Sequence, residues 1–185
     1  MFFTVYRSSL ASLALGLASL AAVAQAADAV ILWPAGWEVE SLPVAPESSG
    51  QPSVQLRQRA VKKDATGEPN MIMELTQTRL TEGHDVNVQG VLLEMRKAIQ
   101  VNFARDGLQS ACTHARGVKL GGVPGVQSTC TITQNGVHVM TQTLVAAATA
   151  QQAWSLSYAG SAQAFEANKP EVLRIRESLR LGEVP

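Results

Sequence analysis

The stretch VQSTCTITQNGVHVMTQTLVAAA, Val126 to Ala148, decides how the rest of the chain is read. Asn135-Gly136 stands between two runs of alternating apolar and polar residues, and both residues of that dipeptide tolerate the positive φ that a tight hairpin turn requires. A hairpin turning there sets Gln134 opposite Val137. It predicts that Cys130, Ile132, Val137, Val139 and Thr141 share one face while His138 points to the other, because strand side chains alternate.

Working outward, LQSACTHARGVKL (Leu108 to Leu120) reads as a further strand, turned back onto Val126 by GGVPG. After the hairpin, AWSLSYA (Ala153 to Ala159) reads as the next strand of an antiparallel meander. Nearer the start, WPAGWEVESL is a tight turn into a strand, and the proline-rich SLPVAPESSGQPS is a long hairpin loop. SVQLRQRAV then alternates Val54 and Leu56 with Arg57 and Arg59. MIMELTQTRL follows the turn-rich KKDATGEPN and places Met71, Met73 and Leu75 on one face. Glu74 then lies across from Arg57 or Arg59 on the solvent side, worth about 0.2–1 kcal/mol.

The period changes between Asp85 and Arg105. Val88, Val91, Leu92, Met95, Ile99 and Phe103 recur at spacings of three and four, which predicts one amphipathic helix, with Asp85 as its N-cap and Gly107 just past its end. The last segment, Ser161 to Leu181, predicts a helix capped by Ser161, renewed at Pro170, with Val172, Ile175 and Leu179 as its apolar stripe. Strand pairs, a helix, a run of strands and a final helix make an α+β protein, with an antiparallel sheet of about six strands packed against a central and a C-terminal helix.

The first residues bear on location. Arg7, an apolar run from Leu10 to Ala24, and small residues at Ala24 and Ala26 form the three-part layout of a secretory signal peptide over residues 1–26, to be cut after Ala26 or, at a second small-x-small match, after Ala29. The run falls short of the roughly 20 apolar residues that a spanning helix needs. No cysteine lies near the cut to carry a lipid, so a soluble mature chain is expected, with residues 27–185 as a single domain. Of 15 basic residues Arg7 leaves with the signal, so 14 face 15 acidic ones. This balance argues against nucleic acid and against an anionic membrane surface as partners. At 46% hydrophobic and 16% charged the chain is globular rather than disordered.

The early PAGW (Pro34 to Trp37), the hairpin, the middle helix, the meander and a terminal helix ending in ESLRL (Glu177 to Leu181) together resemble the PsbP-like superfamily. Its fold is an antiparallel sheet between helices, shared by a photosystem accessory protein, a nuclear-transport factor and several bacterial envelope proteins. Within it, the exported length and paired cysteines look most like an uncharacterised family of periplasmic proteins of Gram-negative bacteria. The resemblance implies a non-enzymatic binding or accessory protein and supplies no catalytic set. A shared fold is an associational guide to function.

Chemistry-bearing residues are few. Cys112, His114, Cys130 and His138 offer the nitrogen and sulfur ligands of a tetrahedral zinc site. Strand alternation removes His138, however, and no Cys-x-x-Cys clamp is present. Seventeen residues separate the two cysteines in strand-like sequence, which disfavours a redox dithiol. With an export signal and no third cysteine, a structural Cys112–Cys130 disulfide is expected. Both fall at even positions flanking a turn, so an undistorted hairpin is expected to aim them at one face. No Gly-x-Ser-x-Gly, His-Glu-x-x-His or Ser-x-x-Lys pattern occurs. LGGVPG has the glycines of a phosphate loop without its Lys-Ser/Thr pair or following helix. TEGHD gathers Glu82, His84 and Asp85 ahead of a helix, so an envelope hydrolase using His84 with Glu82 or Asp85 is the competing expectation. Trp33, Trp37 and Trp154 suit either a core or a stacking surface. The leading expectation is a periplasmic, non-enzymatic accessory, scaffold or ligand-binding domain of the envelope, without metal or cofactor, whose partner is an envelope protein or a small apolar ligand.

Overall fold

A computed structural model describes residues 29–48 and 50–181. The expected signal peptide, residues 1–26, lies outside the described residues. Eight strands and two helices follow one another as β1 (Trp37–Ser41), β2 (Ser53–Lys63), β3 (Pro69–Arg79), α1 (Val88–Arg105), β4 (Gln109–Cys112), β5 (Arg116–Leu120), β6 (Val123–Gln134), β7 (Val137–Ala148), β8 (Gln152–Ser161) and α2 (Ala162–Ser178). All pairings named here are antiparallel, in the order β1-β2-β3-β8-β7-β6-β4, with β5 also on β6. The fold is therefore α+β, with eight strands instead of about six. Division of the first cysteine-bearing segment, read as a single strand from the sequence, into β4 and β5 contributes to the difference.

Chain direction explains the order. β4 to β8 form a meander, and β8 closes onto β3 rather than on a new strand. Helix α1 therefore carries the chain from β3 in mid-sheet to β4 at the far edge, along one face. Helix α2 returns from β8 along the other. Each helix finds a matching apolar patch. Leu92 of α1 buries against Val126, Cys130, Ile132, Leu144 and Ala146. Val172, Ile175 and Leu179 bury against Met71, Met73, Leu75, Leu156 and Tyr158. A Leu92→Ala change in the first patch would cost about 2–5 kcal/mol.

Two β-bulges set which residues meet. Gly121 and Gly122, both at positive φ, make the turn between Leu120 and Val123, so the turn is two residues and Pro124 already belongs to β6. Continued without distortion, that pairing would set Cys112 against Thr131. Three residues, Thr113 to Ala115, instead face Ser128 and Thr129, and the shift brings Cys112 opposite Cys130. The extra residue is held by Thr113 N–H donating to Thr129 O (2.9 Å) and Ser128 Oγ donating to Thr113 O (2.7 Å). The undistorted hairpin expected from the sequence is thus replaced by a bulged one.

At the Asn135-Gly136 turn, Gln134 does oppose Val137, but a second bulge follows, because Thr133 pairs His138 and Ile132 pairs Met140. Cys130 then opposes Gln142, and Thr141 moves to the α2 face beside His138. The expectation that Thr141 shares a face with Cys130 is corrected by that one extra residue; the separation of His138 from Cys130 stands.

Both helices also depart from expectation in detail. Asn87, not Asp85, caps α1, its Oδ1 accepting from Gly90 N–H at 3.0 Å. Asp85 lies two residues too early to reach the first-turn amides. Ser161 caps α2, accepting from Ala164 N–H at 3.1 Å, and the helix runs unbroken through Pro170. Packing of Phe165 on one side of the proline and Val172 on the other keeps the two halves in one helix, where the sequence suggests a fresh start.

Candidate functional site

The loop from β3 to α1 has to leave mid-sheet and reach the helix, and it encloses a hollow as it does so. A cavity of about 500 Å³ lies between this loop, the first turns of α1 and the ends of β3, β7 and β8. Its wall is largely apolar, with Leu80 and Val86 from the loop, Val88 and Val91 from α1, and Ala146 and Ala153 from the sheet. Thr78 and Ser155 supply hydroxyls, and His84 and Asp85 stand on the rim. A smaller groove of about 230 Å³ shares Ser155 with it and is lined on the α1 side by Met95 and Ile99.

Of the three residues singled out for acid-base chemistry, His84 and Asp85 border this cavity and Glu82 does not. Both rim residues are exposed. The backbone N–H of His84 donates to Thr81 O at 3.1 Å, which fixes the turn that presents it. The apolar wall was legible in the helical stripe of Val88 and Val91. The contribution of Ala146, Ala153 and Ser155 was not, because it depends on β8 pairing with β3.

The cysteines are joined as Cys112–Cys130, with Cα atoms 3.9 Å apart. Their sulfurs are committed to each other, so neither is a thiolate ligand. His138 faces α2, away from Cys130, its Nε2 lying 2.9 Å from Thr141 Oγ1 and 3.1 Å from Met140 O. His114 is exposed in the bulge. The tryptophans are core rather than a stacking surface. Trp37 and Trp154 are buried, Trp33 packs on Trp37 with centroids 5.9 Å apart, and Trp37 Nε1–H donates to Glu171 Oε1 at 3.1 Å.

Glu171 is the most informative ionisable group. Its burial alone would push its pKa up, yet hydrogen bonds from Lys62 and Trp37, with the Lys62 charge, outweigh this and hold it below the ordinary value. The Lys62–Glu171 pair pins α2 to β2 and is half-buried. On the opposite face, Arg59 joins Glu74 at 2.7 Å, from directly opposite positions on β2 and β3. This cross-strand pair resolves the choice between Arg57 and Arg59.

An antiparallel sheet with one helix on each face, entered through a Pro34–Trp37 turn and left through a helix ending in Leu179, is a PsbP-like fold. The solved structure of cyanobacterial PsbP (CyanoP) from Synechocystis sp. PCC 6803 is similar with a TM-score of 0.58 and 10% identity, over 83% of this chain and 86% of that one. LpqN of Mycobacterium tuberculosis, described as involved in cell envelope biogenesis, is similar with a TM-score of 0.51 and 18% identity, over 84% and 83%. At these identities the likeness shows the fold alone. The chain belongs to the family described as Domain of unknown function (DUF4946), which matches residues 28–181. No curated protein matches it. Among the described residues, no helix is long and apolar enough to cross a membrane.

Proposed function

We propose that this protein is an exported, periplasmic, non-enzymatic domain of the cell envelope that binds a small, mainly apolar ligand in the hollow beside α1. The observation that carries the reading is the cavity itself: about 500 Å³, walled by aliphatic side chains and touched by only a few polar groups, the usual make-up of a small-molecule site. Export is supported by the layout of residues 1–26 and by a disulfide, a bond that persists in oxidising compartments. The envelope role described for LpqN is consistent with it.

The test is titration with the neutral fluorescent probe N-phenyl-1-naphthylamine, followed by displacement with lauric acid. Saturable, displaceable binding is expected, and Val91→Arg, which puts a charge on the cavity wall, should weaken it at least tenfold. Linear, non-saturating fluorescence would reject the reading.

A second reading, an envelope hydrolase using His84 with Asp85, is favoured by one fact: both residues border that same cavity. Turnover of p-nitrophenyl esters that disappears in His84→Ala would support it. Turnover equal in wild type and variant would sink it.

A further inference from the structure

Beneath α2 the sheet changes character. Around Met71, Leu75 and Leu156 it is apolar, but on β6 and β7 the inward positions are Gln127, Thr129, Thr131, Thr141 and Thr143. Gln127 is 3% exposed and Thr143 is 1% exposed. Buried polar side chains such as these two cost free energy unless they face something polar, whereas Thr129 is half-buried and Thr131 exposed along the same row. Here they face a second cavity, of about 360 Å³, between this end of the sheet and α2. The Thr129 and Thr143 hydroxyl oxygens lie 3.0 Å apart, so at most one proton is shared between them and the other hydroxyl hydrogen is free to turn outward.

The charges around the cavity are unequal. Arg116, Lys169 and Arg176 border it against Glu166 alone, in a chain whose formal net charge is zero. Glu166 is engaged by Lys169 at 3.3 Å on the exposed side of α2. Arg176 is held in place by neutral acceptors, its Nη1 donating to Gln127 Oε1 at 2.5 Å and its Nη2 to Lys119 O at 3.2 Å. Neither Arg116 nor Arg176 has a carboxylate partner within ion-pair distance among the described residues. A positioned guanidinium without a counter-ion, beside a second one and a row of hydroxyl donors, is suited to an oxyanion, which accepts from a planar fork and from hydroxyls together.

We propose that the cavity beneath α2 is a second ligand site, which binds a small molecule through a phosphate or carboxylate group. Arg116 and Arg176 neutralise the anion and Thr129 and Thr131 donate to its oxygens. The volume falls within the range of small-molecule pockets. The site is on the opposite face of the sheet from the apolar hollow, so it neither depends on the ligand proposed there nor competes with it.

The test is isothermal titration of the full exported protein with inorganic phosphate and, separately, with succinate, at ionic strength held constant with chloride. Saturable one-to-one binding of at least one probe is expected. Phosphate alone points to a phosphate ester, succinate alone to a carboxylate ligand, and either supports the site. Arg116→Gln, at an exposed position, should weaken binding about tenfold, the scale of one lost charge-assisted hydrogen bond. Arg57→Gln, which removes the same charge from the other face of β2, should bind as wild type. Amide shifts on titration should concentrate at Thr129 and Thr131. No saturable binding of either probe, or equal affinity in Arg116→Gln and wild type, overturns the proposal.

Discussion

Reducing the Cys112–Cys130 bond tests the bulged register directly. The bond closes a loop with a sequence separation of 18. In the chain-entropy account, a loop of that length removes about 11 cal/mol/K from the unfolded ensemble, or about 3 kcal/mol of stability at 25 °C. For a protein of this size that corresponds to about 6–12 °C in Tm. Reduction is a cleaner perturbation than Cys130→Ala, because Cys130 is fully buried and losing its sulfur would add a packing cost of its own. The assay is urea unfolding of the oxidised protein with and without a phosphine reductant, followed by tryptophan fluorescence. The midpoint should fall by the equivalent of about 3 kcal/mol, with the slope altered because the unfolded chain is no longer cross-linked. Alkylation and mass spectrometry before reduction should find no free thiol, and the same spectrum reports the N-terminus, expected at Ala27. A midpoint unmoved by reductant, or free thiols at both positions, would refute the pairing and with it the shift at Thr113 to Ala115.

Two further outcomes are expected from named contacts. Glu171 has a folded pKa held below its ordinary value of 4.5, so its contribution is fully present above that pH and is lost as the pH falls through the depressed value. Acid unfolding followed by circular dichroism should therefore steepen below about pH 4.5, and Glu171→Gln should lower neutral-pH stability by about 1–3 kcal/mol while flattening that acid limb; an unchanged acid limb would contradict the depressed pKa. For α1, Asn87→Ala should cost about 1 kcal/mol in urea unfolding, the usual price of a lost N-cap, whereas Asp85→Ala should stay within about 0.5 kcal/mol of wild type. The reverse order would restore Asp85 as the cap.

What the sequence could show follows from how local each determinant is. Met71, Met73 and Leu75 alternate, and all three are fully buried; Val172, Ile175 and Leu179 recur at helical spacing, and all three are buried on the α2 side. Those patterns need only the local period, so they were legible. The positions of Cys112 and Thr141 were not, because each depends on one extra residue in a ladder, and an insertion of one flips every later side chain to the other face. Nothing in THA or in HVM marks a bulge by composition. The apolar hollow was half legible for the same reason: α1 declares its own stripe, but the opposing wall exists only once β8 has paired with β3 across the whole meander. The polar row on β6 and β7 was masked too, since alternating threonines read equally well as a solvent face.

The two hollows share a cause. Eight strands make a sheet wider than one helix can cover, and among the described residues each face receives one. Helix α1 packs on β4, β6 and β7 of its face, and α2 on β3, β7 and β8 of the other, so the hollows at the margins of the two helices lie toward opposite ends of the sheet. On the α1 face the open part begins at β8 and β3, where small residues such as Ala153 and Ser155 leave room beside an aliphatic helix. On the α2 face it is β6, where threonines and Gln127 look across at arginines. The second bulge contributes here as well, because it turns Thr141 toward α2, beside His138, and so lengthens the polar row. One architectural mismatch thus yields an apolar site and a cationic site that do not touch, each open to variation without disturbing the core beneath the other.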